Sequence, residues 1–588
     1  MILQALTSLY EALAQKGEIS KEGWSREKIS FALSIDEEGN LLRVTPLFDT
    51  VDGPKGKTRE VPQKMTVPAA VNRTSGAAAN FLWDNSSYIL GVSLKKGEDD
   101  AKREKRRNKD IKCFEACREL HHSMLDGMEY PAAKAVLNFL DKWEPQKAEE
   151  NNLVAQYAKE ILSGANMVFR FNGGYVHEDP QLASVWQKAN AKQKDNIGQC
   201  LITGALDAIP NTHPTIKGVQ GAQSSGAALV SFNASAFCSY NKEQNQNAPV
   251  GKYAAFAYTT ALNHLLADRK NVHRIGDAAV VCWAENADKQ YEDFAAEVFF
   301  GDNVDKSDEQ RLSALRTSLK LLADGLPCKE MDLDPDRKFY ILGLSPNAAR
   351  IAVRFFYCDS FGKIAGNIYK HHERLEIVRP SYDKFPILPL WKLLSATVNP
   401  NAKDKTPNAA MAGAVARAVF SGGRYPASLL ECTFLRIKAE RNITRERAAI
   451  IKAYYLRNPN EKCPKEVLTV SLNENSKNIP YTLGRLFSVY EEIQQAANPG
   501  INTTIKDRYF GSAAAMPATV FPILSNLAQK HLRKLSDAQR VYLDKKVMTL
   551  KSVLGEQYPA HMSLPEQGSF DLGYYHQTQA RYTKKEDK

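Results

Sequence analysis

Residues 216–263, IKGVQGAQSSGAALVSFNASAFCSYNKEQNQNAPVGKYAAFAYTTALN, carry a loop, a strand signal, a second loop and a helix in one run. The first loop holds Gly218, Gly221 and Gly226, with Lys217, Gln220, Gln223, Ser224 and Ser225 among them. Val230 and Phe232 then alternate with Ser231 and Asn233, which predicts a strand over 228–233. A polar loop from Ser239 to Asn247, including Asn241, leads past Pro249 into a predicted helix. That helix places Tyr258, Leu262 and Leu265 on one face by i, i+4, i+7 spacing. Glycines let backbone N–H groups approach an anion closely, and such concavities favour phosphate. Amide and hydroxyl side chains beside glycines suit the reading of base edges. Binding residues commonly sit on loops held by a rigid scaffold, and this stretch has that form.

Outward from this stretch the chain mixes strand and helix signals as far as residue 396 and almost loses its strand signals beyond it. Residues 29–48 read as a hairpin about DEEGN, with Ile29, Phe31, Leu33 and Ile35 in alternation. The polar stretch 49–64 reads as a loop. It contains Gly56, Lys57 and Thr58, but Val51 stands where a phosphate-binding loop needs its first glycine, so a nucleoside triphosphatase site is rejected. In 71–94, Asn72, Arg73, Thr74 and Ser75 form a turn before Gly76, and YILGVS reads as a buried strand. A basic run at 101–112 opens a series of helices reaching residue 163. Further strands are expected at 167–171, 279–284, 339–344 and 350–357. In the last of these Arg350 and Arg354 share a face that could hold a nucleic-acid backbone or pair with the chain's own acids.

Residues 397–410, TVNPNAKDKTPNAA, read as a linker. Helices are expected beyond it at 409–420, 426–440, 444–458, 478–497, 503–516, 518–534 and 536–554. Arg441, Arg445 and Lys452 belong to a basic set on the second and third of these, where phosphate contact is expected. The fold class is therefore α+β: a mixed α/β N-terminal domain over 1–396, a linker at 397–410, and an all-α helical-bundle domain over 411–588. NPNEKCPKE at 458–466, with two prolines, marks 466–588 as a bundle that could fold alone.

With 588 residues the chain can build two domains, and a formal net charge of +11 points towards polyanionic partners. Nine scattered cysteines form no paired zinc ligands; free thiols and a cytoplasmic location are expected. MILQALTSLYEALAQK, with Leu3, Leu6, Leu9 and Leu13, reads as an amphipathic helix rather than a signal peptide. No apolar run is long enough for a membrane span, so no membrane partner is expected. Motifs for a metalloprotease, a hydrolase nucleophile elbow or an EF-hand are absent from the sequence, and no metal, cofactor or catalytic residue is assigned.

GVQGAQSSGAALVSFNASAFCSY with YTTALNHLL, RTSG…NFLWDN…YILG, LGLSPNAARIAVRFFYCDSFGKIAGNIYKHH, YTLGRLFSVYEEIQ with IKDRYFGSAAAMPATVFP, and the terminal FDLGYYHQTQ together resemble the large subunit of type I-C CRISPR surveillance complexes (Cascade). These blocks run from about 71 to 580. The resemblance implies a non-catalytic subunit of an RNA-guided antiviral complex. Its partners would be guide RNA, double-stranded target DNA, the displaced single strand, backbone and handle-end subunits, small subunits and a helicase–nuclease. It would recognise the protospacer-adjacent motif, aid duplex opening and R-loop formation, hold the displaced strand and recruit the helicase–nuclease. It further implies that 466–588 resembles a separate small subunit. The nucleic-acid contacts expected are Asn72, Arg73, Thr74, Ser75, Lys217, Gln220, Gln223, Ser224, Ser225, Asn233, Asn241, Arg350, Arg354, Arg441, Arg445 and Lys452. Two other classes stay open: a nucleic-acid enzyme with an unrecognised active site, and a nucleotide-binding switch using 217–226.

Overall fold

The computed structural model describes residues 1–52, 58–71, 73, 76–94, 99–192, 196–301, 309–383 and 385–582. The architecture is α+β. Two compact units are present: Leu3–Pro214 with Ser231–Ala261, and Thr215–Val230 with everything from Leu262 onward.

The first unit opens with α1 (Ile2–Gln15), whose leucine spacing buries Leu6, Leu9 and Leu13 as expected. β1 (Trp24–Ile29) precedes the predicted hairpin of β2 (Phe31–Ile35) and β3 (Leu41–Pro46). Gly39 turns that hairpin at φ +83, pressed so closely on the backbone of Asn138 and Phe139 that a Cβ would not fit. β4 (Phe48–Asp52) and β5 (Thr58–Pro68) join β1 in a sheet of order β1-β5-β4. The polar stretch expected to be a loop is therefore largely strand, except for 53–57, outside the described residues. Ladder hydrogen bonds are backbone bonds, so a strand exposed along most of its length tolerates charge; β5 buries only its end, at Val67 and Pro68.

β6 (Trp83–Asn85) leads into α2 (Ser86–Ile89), so YILGVS is the end of a short helix and a bend, not the expected strand. Asn85 caps that helix by accepting from Ser87 N–H at 3.0 Å, a local bond that outcompetes the strand. The helices α3 (Asp100–Leu125), α4 (Pro131–Lys142), α5 (Asn152–Ala155) and α6 (Ala158–Ile161) follow as predicted. β7 (Asn166–Phe171) runs parallel to β2, pairs antiparallel with β6 and with β8 (Gly174–Tyr175), and completes the order β3-β2-β7-β6. Phe31, Leu33, Phe81, Phe139 and Phe169 centre the core. α7 (Pro180–Lys192) and the hairpin β9 (Ile197–Gln199) with β10 (Leu206–Ala208) precede α8 (Lys252–Ala267), whose Tyr258, Leu262 and Leu265 are buried as predicted.

The second unit is built on the antiparallel sheet β11 (His273–Ile275), β12 (Ala278–Ala284), β13 (Lys338–Asn347) and β14 (Arg350–Ser360), in that order. Around it lie α9 (Lys289–Ala295), α10 (Glu309–Ala323), α11 (Phe361–Leu375), α12 (Leu390–Ser395) and α13 (Ala409–Ser421). α14 (Ala427–Glu440), α15 (Arg445–Arg457), α16 (Ile479–Ala497), α17 (Ile505–Ala515), α18 (Pro517–Leu532), α19 (Asp537–Lys551) and α20 (Leu564–Ala580) complete the chain. One apolar cluster runs from Ile275 through Leu394 and Met411 to Tyr575. The irregular stretch 397–410 thus lies inside the second unit, between helices that share its core.

Candidate nucleic-acid interface

The glycine loop is closed at its base by a two-bond bridge, Ile216 N–H to Ala227 carbonyl and back, both at 2.9 Å. Gly218, Gly221 and Gly226 all have positive φ, at 93°, 85° and 107°. A Cβ at Gly226 would run into the Thr215 side chain, so this position combines left-handed backbone with no room for a side chain. Gly221 packs on Pro346 at the end of β13, and Gly218 on Leu266 of α8. Asn263, one turn earlier on α8, clamps the base: its Oδ1 accepts from Lys217 N–H at 2.7 Å and its Nδ2 donates to the Thr215 carbonyl at 3.1 Å. Each such bond contributes about 1 kcal/mol. Lys217, Gln220, Gln223, Ser224 and Ser225 are exposed on this held frame. Arg274 of β11 reaches the loop and donates to Gln220 Oε1 at 3.2 Å.

The loop's far end docks on the β13–β14 hairpin. Ala228 N–H donates to the Ala349 carbonyl at 3.0 Å, and Ile351 N–H donates to the Ala228 carbonyl at 2.9 Å. This single parallel bridge, Ala228 to Arg350, replaces the strand predicted at 228–233. Val230 and Phe232 stay half-buried, so their apolar alternation serves packing without a ladder, and Asn233 is exposed. Arg350 is half-buried at the start of β14. Arg354 pairs with Asp277 at 2.7 Å, which spends its charge within the chain.

The polar loop at 239–247 belongs to the first unit and is organised by amides from inside. Asn245 is buried: its Oδ1 lies 2.8 Å from His213 Nε2, and its Nδ2 donates to the Pro210 and Val250 carbonyls. His213 Nδ1 lies 2.6 Å from the Tyr258 hydroxyl. Burial pushes the His213 pKa down, against the pull of Asn245. Asn247 holds the loop by donating to the Lys242 and Gln244 carbonyls. Tyr240, 95% exposed, and Asn241 both sit at φ 54° on the loop's outer edge.

Of the turn before Gly76, Asn72, Thr74 and Ser75 lie outside the described residues. Arg73 donates to the Ala78 carbonyl at 2.7 Å, pairs with Asp84 and lies 3.9 Å over the Tyr88 ring. Asp84 also accepts from Asn80 and Asn85 N–H; burial pushes its pKa up, while these donors and Arg73 pull it back. Arg73 is therefore held by Ala78, Asp84 and Tyr88 of its own unit.

The basic helices divide. Arg445 and Lys452 were expected on an outward phosphate-binding face, but they are 6% and 3% exposed. Arg445 pairs with Asp383 at 2.9 Å and donates to the carbonyls of Phe385 and Pro386. Lys452 Nζ donates to the Arg374 carbonyl at 3.0 Å, and burial pushes its pKa down to about 8. Both lie on the face that α15 turns towards α11 and its following segment, seven residues apart on one stripe. Arg441, in left-handed conformation at the end of α14, is exposed. Lys102, Arg103, Lys105, Arg107 and Lys109 on α3 are exposed as well. The loop network missed from the sequence comprises Asn263, Arg274 and Asn245. Asn263 and Arg274 carried no local signal, because their partners lie 46 and 54 residues away.

Among the described residues no group of three or more His, Cys, Asp or Glu could hold a metal ion, and no helix is long and apolar enough to cross a membrane. A family model described as CRISPR-associated protein (Cas_Csd1) matches residues 6–582. No curated protein matches the chain.

Proposed function

The chain belongs to the CRISPR-associated Csd1 family, that of the type I-C Cascade large subunit, and we propose that its glycine loop reads the protospacer-adjacent motif of target DNA. The observation that carries this is the exposed row Lys217, Gln220, Gln223, Ser224 and Ser225 on a backbone fixed by Asn263, Pro346 and the 216–227 bridge. Fixed amides and hydroxyls can distinguish donor and acceptor patterns on base edges, and a flanking lysine holds the phosphate that sets register. In RNA-guided recognition the protein reads a short motif while base pairing reads the rest.

The role is that of a non-catalytic, cytoplasmic subunit. It joins guide RNA and the backbone and handle-end subunits, opens the target duplex beside the motif, holds the displaced strand and presents the helicase–nuclease with a docking surface. Asn233 and Asn241, exposed on the first unit, are the next candidates for contact, with Asn72, Arg73, Thr74 and Ser75. Arg350 and Arg441 supply phosphate contacts; Arg354, Arg445 and Lys452 support the fold. Photo-crosslinking tests the placement. Assembled complex on duplex carrying 5-bromouracil in the motif should crosslink to the peptide containing 216–227. Crosslinks confined to other peptides would remove the glycine loop from motif reading.

A further inference from the structure

Inside the second unit, α10, α11 and the irregular stretch 385–389 enclose a cleft of about 330 Å³. It adjoins an apolar recess of about 60 Å³, and the two share Arg316, Leu319, His372, Pro386 and Ile387. Leu312, Leu315 and Leu319, at helical spacing on α10, line the recess with Phe385 and Pro389. The stretch 385–389 is pinned. Buried Arg445 donates to the Phe385 and Pro386 carbonyls, and Gly301 packs so tightly on Pro389 that no Cβ would fit. Pro386 and Pro389 bring no N–H donor, which keeps the recess apolar. Charge in the cleft is unevenly spent. Arg316 and Lys320, one turn apart on α10, are exposed and make no ion pair among the described residues. Glu373 and Glu376 of α11 line the same cleft, but Tyr369 hydrogen-bonds Glu373 and buried Lys452 lies close enough to Glu376 to balance it. Arg445 is paired with Asp383. Burial and then Arg316 push the His372 pKa down to about 4, so this ring adds no charge at neutral pH.

We propose that this cleft docks a short segment of another protein, with one aliphatic side chain seated in the recess and acidic residues beside it meeting Arg316 and Lys320. Size selects the anchor. A cavity needs about 15 Å³ for one water, so 60 Å³ holds the few heavy atoms of a leucine side chain. A cavity that takes benzene has about 150 Å³, so a nucleic-acid base does not fit. The wider cleft leaves room for the residues on either side of the anchor. Charge selects those neighbours: the acids of the cleft are already balanced, and the two cations on α10 are not. Solvated cations are common on any surface, but these two border a preformed apolar hole. The docking role goes beyond motif reading and does not depend on it.

The probe is a pentapeptide with photo-leucine between two pairs of glutamates, irradiated with the full-length protein at about 1 mM, a concentration that reads weak contacts. Labelled residues, mapped by mass spectrometry, should fall within 312–319 and 385–389. The plain leucine peptide should compete roughly tenfold better than its alanine counterpart, which lacks most of the carbons that fill the recess. Arg316→Glu with Lys320→Glu, both exposed, should melt as wild type does and lose labelling roughly tenfold. A peptide with lysines in place of the glutamates should label the double variant better than wild type. No labelling, labelling outside the cleft, equal competition by the alanine peptide, or labelling indifferent to the charge reversal would each overturn the proposal. Displacement of the peptide by oligothymidine would assign the cleft to nucleic acid and overturn it too. None of these outcomes touches the glycine loop, whose reading stands or falls on motif-bearing duplex.

Discussion

Gly484 of α16 and Gly573 of α20 meet each other's backbones: a Cβ on Gly484 would collide with the Phe570 carbonyl, and a Cβ on Gly573 with the Tyr481 carbonyl. The two helices cross at these glycines with nothing but backbone between them. Phe487, Phe510, Phe570 and Tyr574 then close around the crossing, with ring centroids 5.2–6.0 Å apart. Neither clash can be relieved by rotating a side chain. Gly484→Ala should therefore cost about 3 kcal/mol or more, at the upper end of overpacking. Gly511, in α17 with nothing near its missing Cβ, is the control. Gly511→Ala should stabilise by about 0.4–1 kcal/mol. Urea melts of the three proteins measure both; equal stability of Gly484→Ala and wild type would mean that the helices do not cross here.

Arg445 and Arg441 should separate cleanly. Arg445→Ala leaves the Asp383 carboxylate, its side chain 7% exposed, with Lys392 at 3.3 Å to balance it among the described residues. A loss on the order of 3 kcal/mol is expected, with no specific change in DNA binding. Arg441→Gln should leave the melt nearly unchanged and lower the log–log salt slope of duplex binding by nearly one. Reversed outcomes would place phosphate at Arg445.

His121 makes stability fall in acid. Its Nε2 accepts from Leu82 N–H at 2.9 Å and its Nδ1 donates to the Cys117 carbonyl at 2.7 Å, so only the neutral ring satisfies both. Burial pushes its pKa down to about 4. The unfolded chain takes up this proton near the ordinary histidine value, about 6.5, and the folded chain only near 4. Stability is thus lost as pH falls from 6.5 towards 4, by about 1.4 kcal/mol per pH unit at the steepest. His121→Gln should be less stable at pH 7.5 and show a shallower decline to pH 5. A parallel decline would assign the acid sensitivity to other groups.

The fold was legible where local chemistry decides it. The β2–β3 hairpin follows from its alternation, and seven C-terminal helices stand where the sequence predicts them. α20 was missed because it is buried all round and carries Gln567, Ser569, Asp571, His576 and Gln577 inside, so its pattern is not amphipathic. Its one local signal was the Ser563–Glu566 capping box. In the candidate site, the loop form of 217–226 was legible from its three glycines, whereas the inward turn of Arg445 and Lys452 was not. A basic residue looks the same in sequence on either face of a helix; only the packing partner, 62 or 78 residues away, decides.

The segment 466–588 is proposed to fold alone, as a small subunit would. α16 and α20 pair along their length within it, but α20 also turns Gly568 towards Phe434, Ile451 and Tyr455, and Tyr575 donates to the Val378 carbonyl at 2.7 Å. Expressed alone, it should be helical and melt cooperatively, at a lower temperature than 427–588. An aggregated or molten product would show that those outside contacts are needed for folding.

The most direct test of the glycine loop as motif reader is the ratio of affinities for motif-bearing and scrambled duplex, measured on assembled complex with wild-type protein and with the double variant Lys217→Ala, Gln220→Ala. Both side chains are exposed, so the variant should assemble and melt as wild type does. The ratio should fall by the equivalent of roughly 1–3 kcal/mol, the discrimination carried by one base-edge contact. A folded, assembled variant with an unchanged ratio would contradict the account.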